Sequence, residues 1–253
     1  MESLDWPQLA LIALIFVWSG FARSGIGFGG AVLSLPFLLL VHNDALVFLP
    51  IIAVQLLFFA TLLGIRQWHR GEALRVEGEG IDWPYLRKAL AIIIVPKLAG
   101  VFGLLTLPAH VMGTIIFAIV SVYALSYIFN LPLRSTDRRL DLLFLTLGGY
   151  VSGTSLIGAP LIIAVFATHV AARQLRDTLF VLWFILGAIK LAALAWAGVD
   201  LQLEHQLWLL PCAAIGHVLG LRFHDYLMRT EPARFYRVLG CVLLVAAGAG
   251  LLR

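Results

Sequence analysis

The chain has 253 residues, of which 61% are hydrophobic and 13% are charged, and its formal net charge is +4. Soluble domains carry roughly 25% charged residues, and the mean hydropathy here is +0.97. The composition therefore predicts an all-α integral membrane protein with little room for a soluble domain. The basic residues lie in loops beside apolar segments, which indicates the lipid bilayer as a partner and excludes nucleic acid.

Ten apolar segments follow one another along the chain, and a full membrane span needs about 17–25 residues. The third, fourth, fifth, eighth and tenth segments are long enough, and the ninth is nearly so. The other four are short, and they either cross the membrane as short or tilted helices or fold back as re-entrant hairpins. The segments are residues 8–21, 31–41, 45–65, 85–107, 111–129, 140–153, 161–170, 178–198, 206–221 and 235–252.

Basic residues mark every second connection between these segments. The basic connections are residues 66–88, 134–139, 173–176 and 222–237, and the connections 42–44, 108–110 and 199–205 contain no Lys or Arg. Cytoplasmic loops are enriched in Lys and Arg. The pattern thus predicts that the basic loops are cytoplasmic and that both the N-terminus and the C-terminus lie outside.

Two Gly-rich stretches interrupt the apolar pattern, each of them between two of the short segments. They are residues 20–36 and, about halfway along the chain, residues 149–160. Backbone that leaves a helix inside a bilayer is tolerated only where it faces protein or a wet cavity. Paired interruptions at corresponding places in two halves are typical of the binding sites of secondary transporters. The glycines at the interruptions are candidate site residues, namely Gly27, Gly29, Gly30 and Gly158.

Five segments in each half, an odd number, give the two halves opposite orientations. The sequence predicts two inverted-topology membrane repeats, residues 1–130 and 140–253, joined by a cytoplasmic linker at residues 131–139. This organisation is typical of alternating access around a central site near the midplane.

Three cations lie in apolar surroundings, namely Arg23, Lys97 and Lys190. A cation at the bilayer centre costs about 2.5–3.5 kcal/mol. The 14 acidic residues all lie in loops or at segment ends, so no carboxylate is a mid-span partner. An anionic ligand is the favoured partner, and snorkelling to the interface or pairing with a carbonyl is the alternative.

Four further polar residues belong to the predicted substrate site. Gln55 could donate to a substrate oxygen or join two helices. His217 could carry a proton or bind a carbonyl, and Ser152 and Ser155 supply hydroxyls at the second interruption. The two cysteines lie in apolar runs without metal or disulfide spacing, so no cofactor and no metal are expected.

At these residues the sequence resembles the TauE/SafE family of sulfite exporters. The family has a Gly-rich pattern early in each half, followed by a proline. The matching residues are Gly27, Gly29, Gly30, Ala31 and Pro36 in the first copy and Ser152, Gly153, Gly158, Ala159 and Pro160 in the second. The chain departs from the pattern where Arg23-Ser24 replaces Ser-Gly, where Leu156 replaces a glycine, and where Lys97 follows Pro96.

The resemblance implies a permease of the bacterial inner membrane, not an enzyme, that exports a small sulfur-containing anion such as sulfite or an organosulfonate. The charge pattern alone indicates only an anion. The chain has no Walker A motif, so transport is expected to be either facilitated or coupled to protons through Lys or His. A homodimer and a monomer both remain open.

Two other functions remain as alternatives. Gly153-Thr-Ser155 has a G-x-S form, and with His217 it could make an intramembrane serine protease. The second alternative is a membrane assembly factor that transports nothing. Neither explains why buried lysines are present.

Overall fold

Ten α-helices account for most of the chain. A computed structural model describes residues 4–25, 30–69, 80–131, 133, 135, 137–227 and 232–252, and these ranges contain ten helices and no strand. The prediction of an all-α membrane protein is confirmed. The helices are α1 (Trp6–Gly25), α2 (Gly30–Val41), α3 (Ala45–His69), α4 (Trp83–Thr106), α5 (Ala109–Ile128), α6 (Arg138–Ser155), α7 (Ala159–His169), α8 (Ala172–Trp196), α9 (Leu203–Leu227) and α10 (Pro232–Leu251).

A capping side chain or a proline lies at the start of several helices. The Asp137 carboxylate caps α6, because Oδ1 accepts the N–H groups of Arg139 at 2.8 Å and Leu140 at 2.9 Å. Such a cap satisfies backbone donors that have no partner in the first turn. Pro108 precedes α5, and Pro160 lies in the first turn of α7, where a proline removes no helical hydrogen bond.

Six of the described helices are long and apolar enough to span a membrane: α1, α3, α4, α5, α8 and α9. The expectation that the first segment is short is wrong, because α1 has 20 residues and continues through the first half of the Gly-rich stretch to Gly25. Likewise α6 has 18 residues and ends only at Ser155. The small and polar residues there lower hydropathy without breaking the helix. Only α2, with 12 residues, and α7, with 11, stay short beside the interruptions.

The exposed faces of the helices suit lipid. On α4 the side chain of Val95 is 71% exposed and that of Phe102 is 68% exposed, whereas Lys97 on the same helix is 0% exposed. A soluble helix would show the reverse pattern. Together with the six long apolar helices, this makes the chain a multi-pass membrane protein.

The helices form two compact units, and these units are not the two halves of the sequence. Unit 1 comprises Met1–Ile51, Thr106–Leu133 and Asp200–Arg253, and unit 2 comprises Ile52–Leu105 and Arg134–Val199. Each unit therefore takes helices from both predicted repeats. The division into repeats and linker stays a prediction about sequence, since packing groups the helices differently.

In unit 1, α1 packs against α9 and α2, and α10 packs against α5 and α2. Glycines allow the first of these contacts. A Cβ on Gly216 of α9 would meet the carbonyl oxygen of Val17, and a Cβ on Gly20 of α1 would meet that of Ala213. The backbones of α1 and α9 are thus in direct contact, as small residues permit in membrane helices.

In unit 2, α6 packs on α7 and α7 on α8, around an apolar core. The core residues are Leu86, Ala89, Ile93, Leu145, Ile162, Val165, Phe166, Val170, Leu182 and Leu186. Gly149 lies close to α4, since a Cβ there would be 2.8 Å from the carbonyl oxygen of Ile93. The core holds α4, α6, α7 and α8 around the end of α6.

Candidate functional site

The break between α6 and α7 spans only residues 156–158. Leu156 caps α6 in the left-handed conformation, with φ 61° and ψ 9°, and its N–H donates to Ser152 O at 3.2 Å. The last carbonyls of a helix have no intrahelical partner, and they form the negative end of its dipole. Two lysines of unit 2 bind carbonyls in the last turn of α6.

Lys97 reaches the break from α4. Its side chain is fully buried, and Nζ donates to the hydroxyl of Ser152 at 3.0 Å and to the Ser152 carbonyl at 3.3 Å. Pro96, directly before it, lies inside α4, and a proline within a helix leaves the carbonyl four residues earlier without its usual donor.

Lys190 reaches the same turn from α8. It is also fully buried, and Nζ donates to the carbonyl of Gly153 at 2.6 Å and to that of Thr154 at 3.2 Å. Pairing with a carbonyl, the alternative to an anionic ligand, is thus present at both lysines, and Lys97 also binds the Ser152 hydroxyl. Neither lysine snorkels to the interface.

All the partners that the described residues provide for the two lysines are uncharged. Among the described residues no Asp or Glu is buried, and no carboxylate pairs with Lys97 or Lys190. An ammonium group has three N–H donors, and each lysine uses two of them within the described part of the chain. Within the described residues, two lysines that each have one N–H donor to spare thus converge on one helical turn.

Close contact between α4 and α6 brings the lysine to this turn. A Cβ on Gly153 would meet the carbonyl oxygen of Lys97 and would lie 2.9 Å from Gly100 Cα. The start of α7 lies beside the same turn, because a Cβ on Gly158 would be 2.9 Å from Ser152 N. The nearest atom to that Cβ would be the carbonyl oxygen of Gly148, so Gly158 is needed for packing at the break.

The remaining predicted site residues of unit 2 take other roles. The Ser155 hydroxyl donates to Val151 O of its own helix at 2.9 Å. Gln55 is fully buried on α3 and belongs to the same unit.

Other predicted site residues lie in unit 1, at the end of α1. His217 of α9 is buried, and its Nδ1 is hydrogen-bonded to the Ser24 hydroxyl. Arg23 lies against the start of α2, since a Cβ on Gly30 would be 3.1 Å from Arg23 Nε. Gly27 and Gly29 fall outside the described residues.

Sequence reasoning missed the backbone carbonyls of residues 152–154 and the hydroxyl of Ser24. A search for charged side chains does not find carbonyls, because every residue has one. One feature of the sequence could have indicated the contact between Ser24 and His217. Glycines at 216 and 220 flank His217 on α9 and are typical of a close helix crossing.

A polytopic all-α membrane protein with an interrupted helix pair and buried cations belongs to the class of small-solute transporters. The chain is a member of the sulfite exporter TauE/SafE family, whose sequence model matches residues 11–250. Comparison with curated proteins gave no match, and comparison with solved structures gave none. The protein is accordingly a membrane transporter of the small-anion class and not an enzyme.

Proposed function

We propose that this protein exports sulfite or an organosulfonate by alternating access, and that the anion binds Lys97 and Lys190 at the break between α6 and α7. One observation carries the proposal. Two fully buried lysines converge on one helical turn, and their described partners are all uncharged.

The energetics favour a transient anion there. Each cation near the bilayer centre costs about 2.5–3.5 kcal/mol, and carbonyl dipoles offset only part of that cost. An anion placed between the ammonium groups would offset more, and it would accept the donors that remain. The N-terminal end of α7 adds oriented N–H groups and the positive end of a dipole.

The arrangement allows the anion to be released, because the lysines keep their carbonyl partners when it leaves. A transporter must release its ligand, so the free energy of the empty site cannot be too high. Hydrogen bonds to Ser152, Gly153 and Thr154 provide that state, so the lysines need not be deprotonated or exposed during each cycle.

Location and orientation complete the proposal. The protein lies in the bacterial inner membrane with its basic loops in the cytoplasm, and its two repeats are inverted with respect to each other. Whether it acts as a monomer or a homodimer does not alter the site, which lies within unit 2.

The two alternatives have little support. The hydroxyl of Ser155 is bound within α6, and the imidazole of His217 is bound to Ser24. Membership in a transporter family argues against an assembly factor.

Transport by purified protein in liposomes tests the proposal. Liposomes are loaded with sulfite, a C2 sulfonate, sulfate or acetate, and efflux is followed for wild type, Lys97→Met and Lys190→Met. We expect efflux of a sulfur anion that falls about tenfold or more in each variant, which corresponds to about 1.4 kcal/mol. The matched control is Lys88→Met, since Lys88 lies on α4 but is exposed, and it should keep wild-type efflux.

Wild-type efflux in both buried-lysine variants would overturn the site. Efflux of none of the four anions by folded wild-type protein would overturn the substrate class. Methionine is chosen because replacing a buried charge by an apolar side chain of similar length often leaves stability unchanged or higher.

A further inference from the structure

The crossing of α6 with α4 in unit 2 is defined by one glycine of α4. A Cβ on Gly100 would meet the carbonyl oxygen of Tyr150, and it would lie 3.0 Å from both Gly153 Cα and Thr154 N. Lys97 lies one helical turn before Gly100 and binds the end of α6. The glycine thus fixes the position of the lysine against α6.

The crossing of α1 with α9 in unit 1 repeats this pattern at corresponding atoms. A Cβ on Gly220 would meet the carbonyl oxygen of Phe21, and it would lie 3.0 Å from Ser24 Cβ and 2.9 Å from Gly25 N. Phe21, Ser24 and Gly25 are spaced along α1 in the same way as the residues around Gly100 are spaced along α6. Those residues are Tyr150, Gly153 and Thr154. The two crossings are therefore equivalent, and each is contained in its own unit.

This equivalence gives Lys97 a counterpart in unit 1. Lys97 precedes Gly100 on α4 by the same number of residues as His217 precedes Gly220 on α9. Both side chains are buried, and each binds a residue near the end of the helix that it crosses, Ser152 or Ser24. One crossing carries a lysine, and the other carries a histidine, the side chain whose charge most readily changes near neutral pH.

We propose that unit 1 holds a second anion-binding position at His217, which binds an anion only when the imidazole is protonated. The inference rests on the proposed function, because it assigns a second position for the same anion. It couples anion binding to a proton and so makes the transport cycle sensitive to pH.

The hydrogen bonds of Ser24 indicate which ring nitrogen of His217 carries the proton in the neutral imidazole. The Ser24 hydroxyl donates to Gly20 O at 3.1 Å, so in that arrangement its oxygen accepts from His217 Nδ1–H. A proton then adds at Nε2 without disturbing this contact, and the imidazolium has an N–H donor at each ring nitrogen.

Among the described side chains of α1 and α9, the charged ones nearest this position are basic. The helix packed against α9 here is α1, and its only charged residue is Arg23. On α9 the nearest charged residue in the sequence is Arg222. Neither residue would stabilise an imidazolium by charge. Protonation and anion binding at His217 should therefore support each other.

Binding stoichiometry at two pH values tests the inference. The probe is ethanesulfonate, because it stays a monoanion while sulfite itself titrates, and titration calorimetry counts the sites. At about pH 5.5 and about pH 8, on either side of the range in which histidine changes charge, we expect wild type to bind about two anions and about one.

Two substitutions of the histidine separate the role of its charge from that of its shape. His217→Gln can still bond Ser24 but cannot be protonated, and we expect about one anion at both pH values. His217→Lys copies the other crossing and should bind about two anions at both. His110→Gln is the matched control in unit 1, since His110 is exposed, and it should behave like wild type.

The outcomes separate this inference from the proposed function. A second, acid-dependent site that persists in His217→Gln overturns the inference, and so does a single lysine-dependent site in wild type at both pH values. Loss of the pH-independent site in Lys97→Met with the acid-dependent site retained supports both proposals. If wild-type binding survives in both lysine variants but acid dependence is lost in His217→Gln, the lysine site fails and the inference stands.

Discussion

Leu156 ends α6 in a backbone conformation that is unfavourable for a residue with a side chain. Its φ of 61° lies in the left-handed region, which glycine adopts easily and a side chain with a Cβ adopts at a cost of roughly 1–2 kcal/mol. Leu156 is also the position at which this chain departs from the glycine of the TauE/SafE pattern. The break between α6 and α7 is therefore strained where the lysines bind.

Substitution of Leu156 can measure this strain. Leu156→Ala removes the side chain and keeps the Cβ, whereas Leu156→Gly removes both. We expect the glycine variant to exceed the alanine variant by about 1 kcal/mol in free energy of unfolding, measured by denaturant titration in detergent. Equal stability, or a more stable alanine variant, would show that the left-handed conformation costs nothing here.

The partners of the buried lysines show where prediction from sequence stops at this scale. Lys97 and Lys190 could be recognised as buried cations, because charges in apolar segments are rare and visible. Their carbonyl partners could not, because which backbone oxygen meets Nζ depends on how α4 and α8 meet the end of α6. That is a matter of tertiary packing.

At the scale of elements, glycines set the distance between crossing helices. On α6, a Cβ at Gly153 would meet the Lys97 carbonyl oxygen and Gly100 Cα. Backbone atoms cannot move aside as a side chain can, so any larger residue must separate the two helices. Such a separation would also draw Ser152 away from the lysine.

Gly153→Ala tests this contact. We expect a loss of about 1–3 kcal/mol in free energy of unfolding, as for overpacked sites, together with reduced anion efflux. Gly248→Ala on α10 is the control, since a Cβ there has nothing within 4 Å and alanine favours helix by up to about 1 kcal/mol. Thermal unfolding of both variants measures the difference, and equal melting temperatures would contradict the crossing.

Helix boundaries were predictable only in part. The ten segments match the ten described helices in order, since apolar runs identify the membrane-embedded parts. The ends of α1 and α6 were placed too early, because Arg23 in α1 and Thr154 and Ser155 in α6 lower local hydropathy although they remain helical.

For the whole molecule, the distribution of Lys and Arg predicts orientation. Residues 131–139 should be cytoplasmic, and residues 199–205, which contain no Lys or Arg, should be outside. Alkaline phosphatase is active only outside the cytoplasm. A fusion after Asp200 should therefore be active, and a fusion after Asp137 should be inactive. Activity of the second fusion but not the first would reverse the proposed topology.

The grouping of helices into units was not predictable. Periodicity and hydropathy are local, and they cannot show that α1 packs against α9 or that α4 packs against α6. The inverted repeats suggested two similar halves, yet each compact unit draws on both.

Because each unit contains helices from both halves of the sequence, the order of synthesis affects how the protein assembles. Membrane helices are synthesised in order, and α1 meets its partner α9 only when most of the chain has left the ribosome. Until then Gly20 and its neighbours on α1 face lipid or a temporary protein partner, and the early-made half has no complete unit to fold into. Unit 1 can thus be completed only late in synthesis, and a truncation that removes α9 should leave α1 inserted but without the helix it packs against.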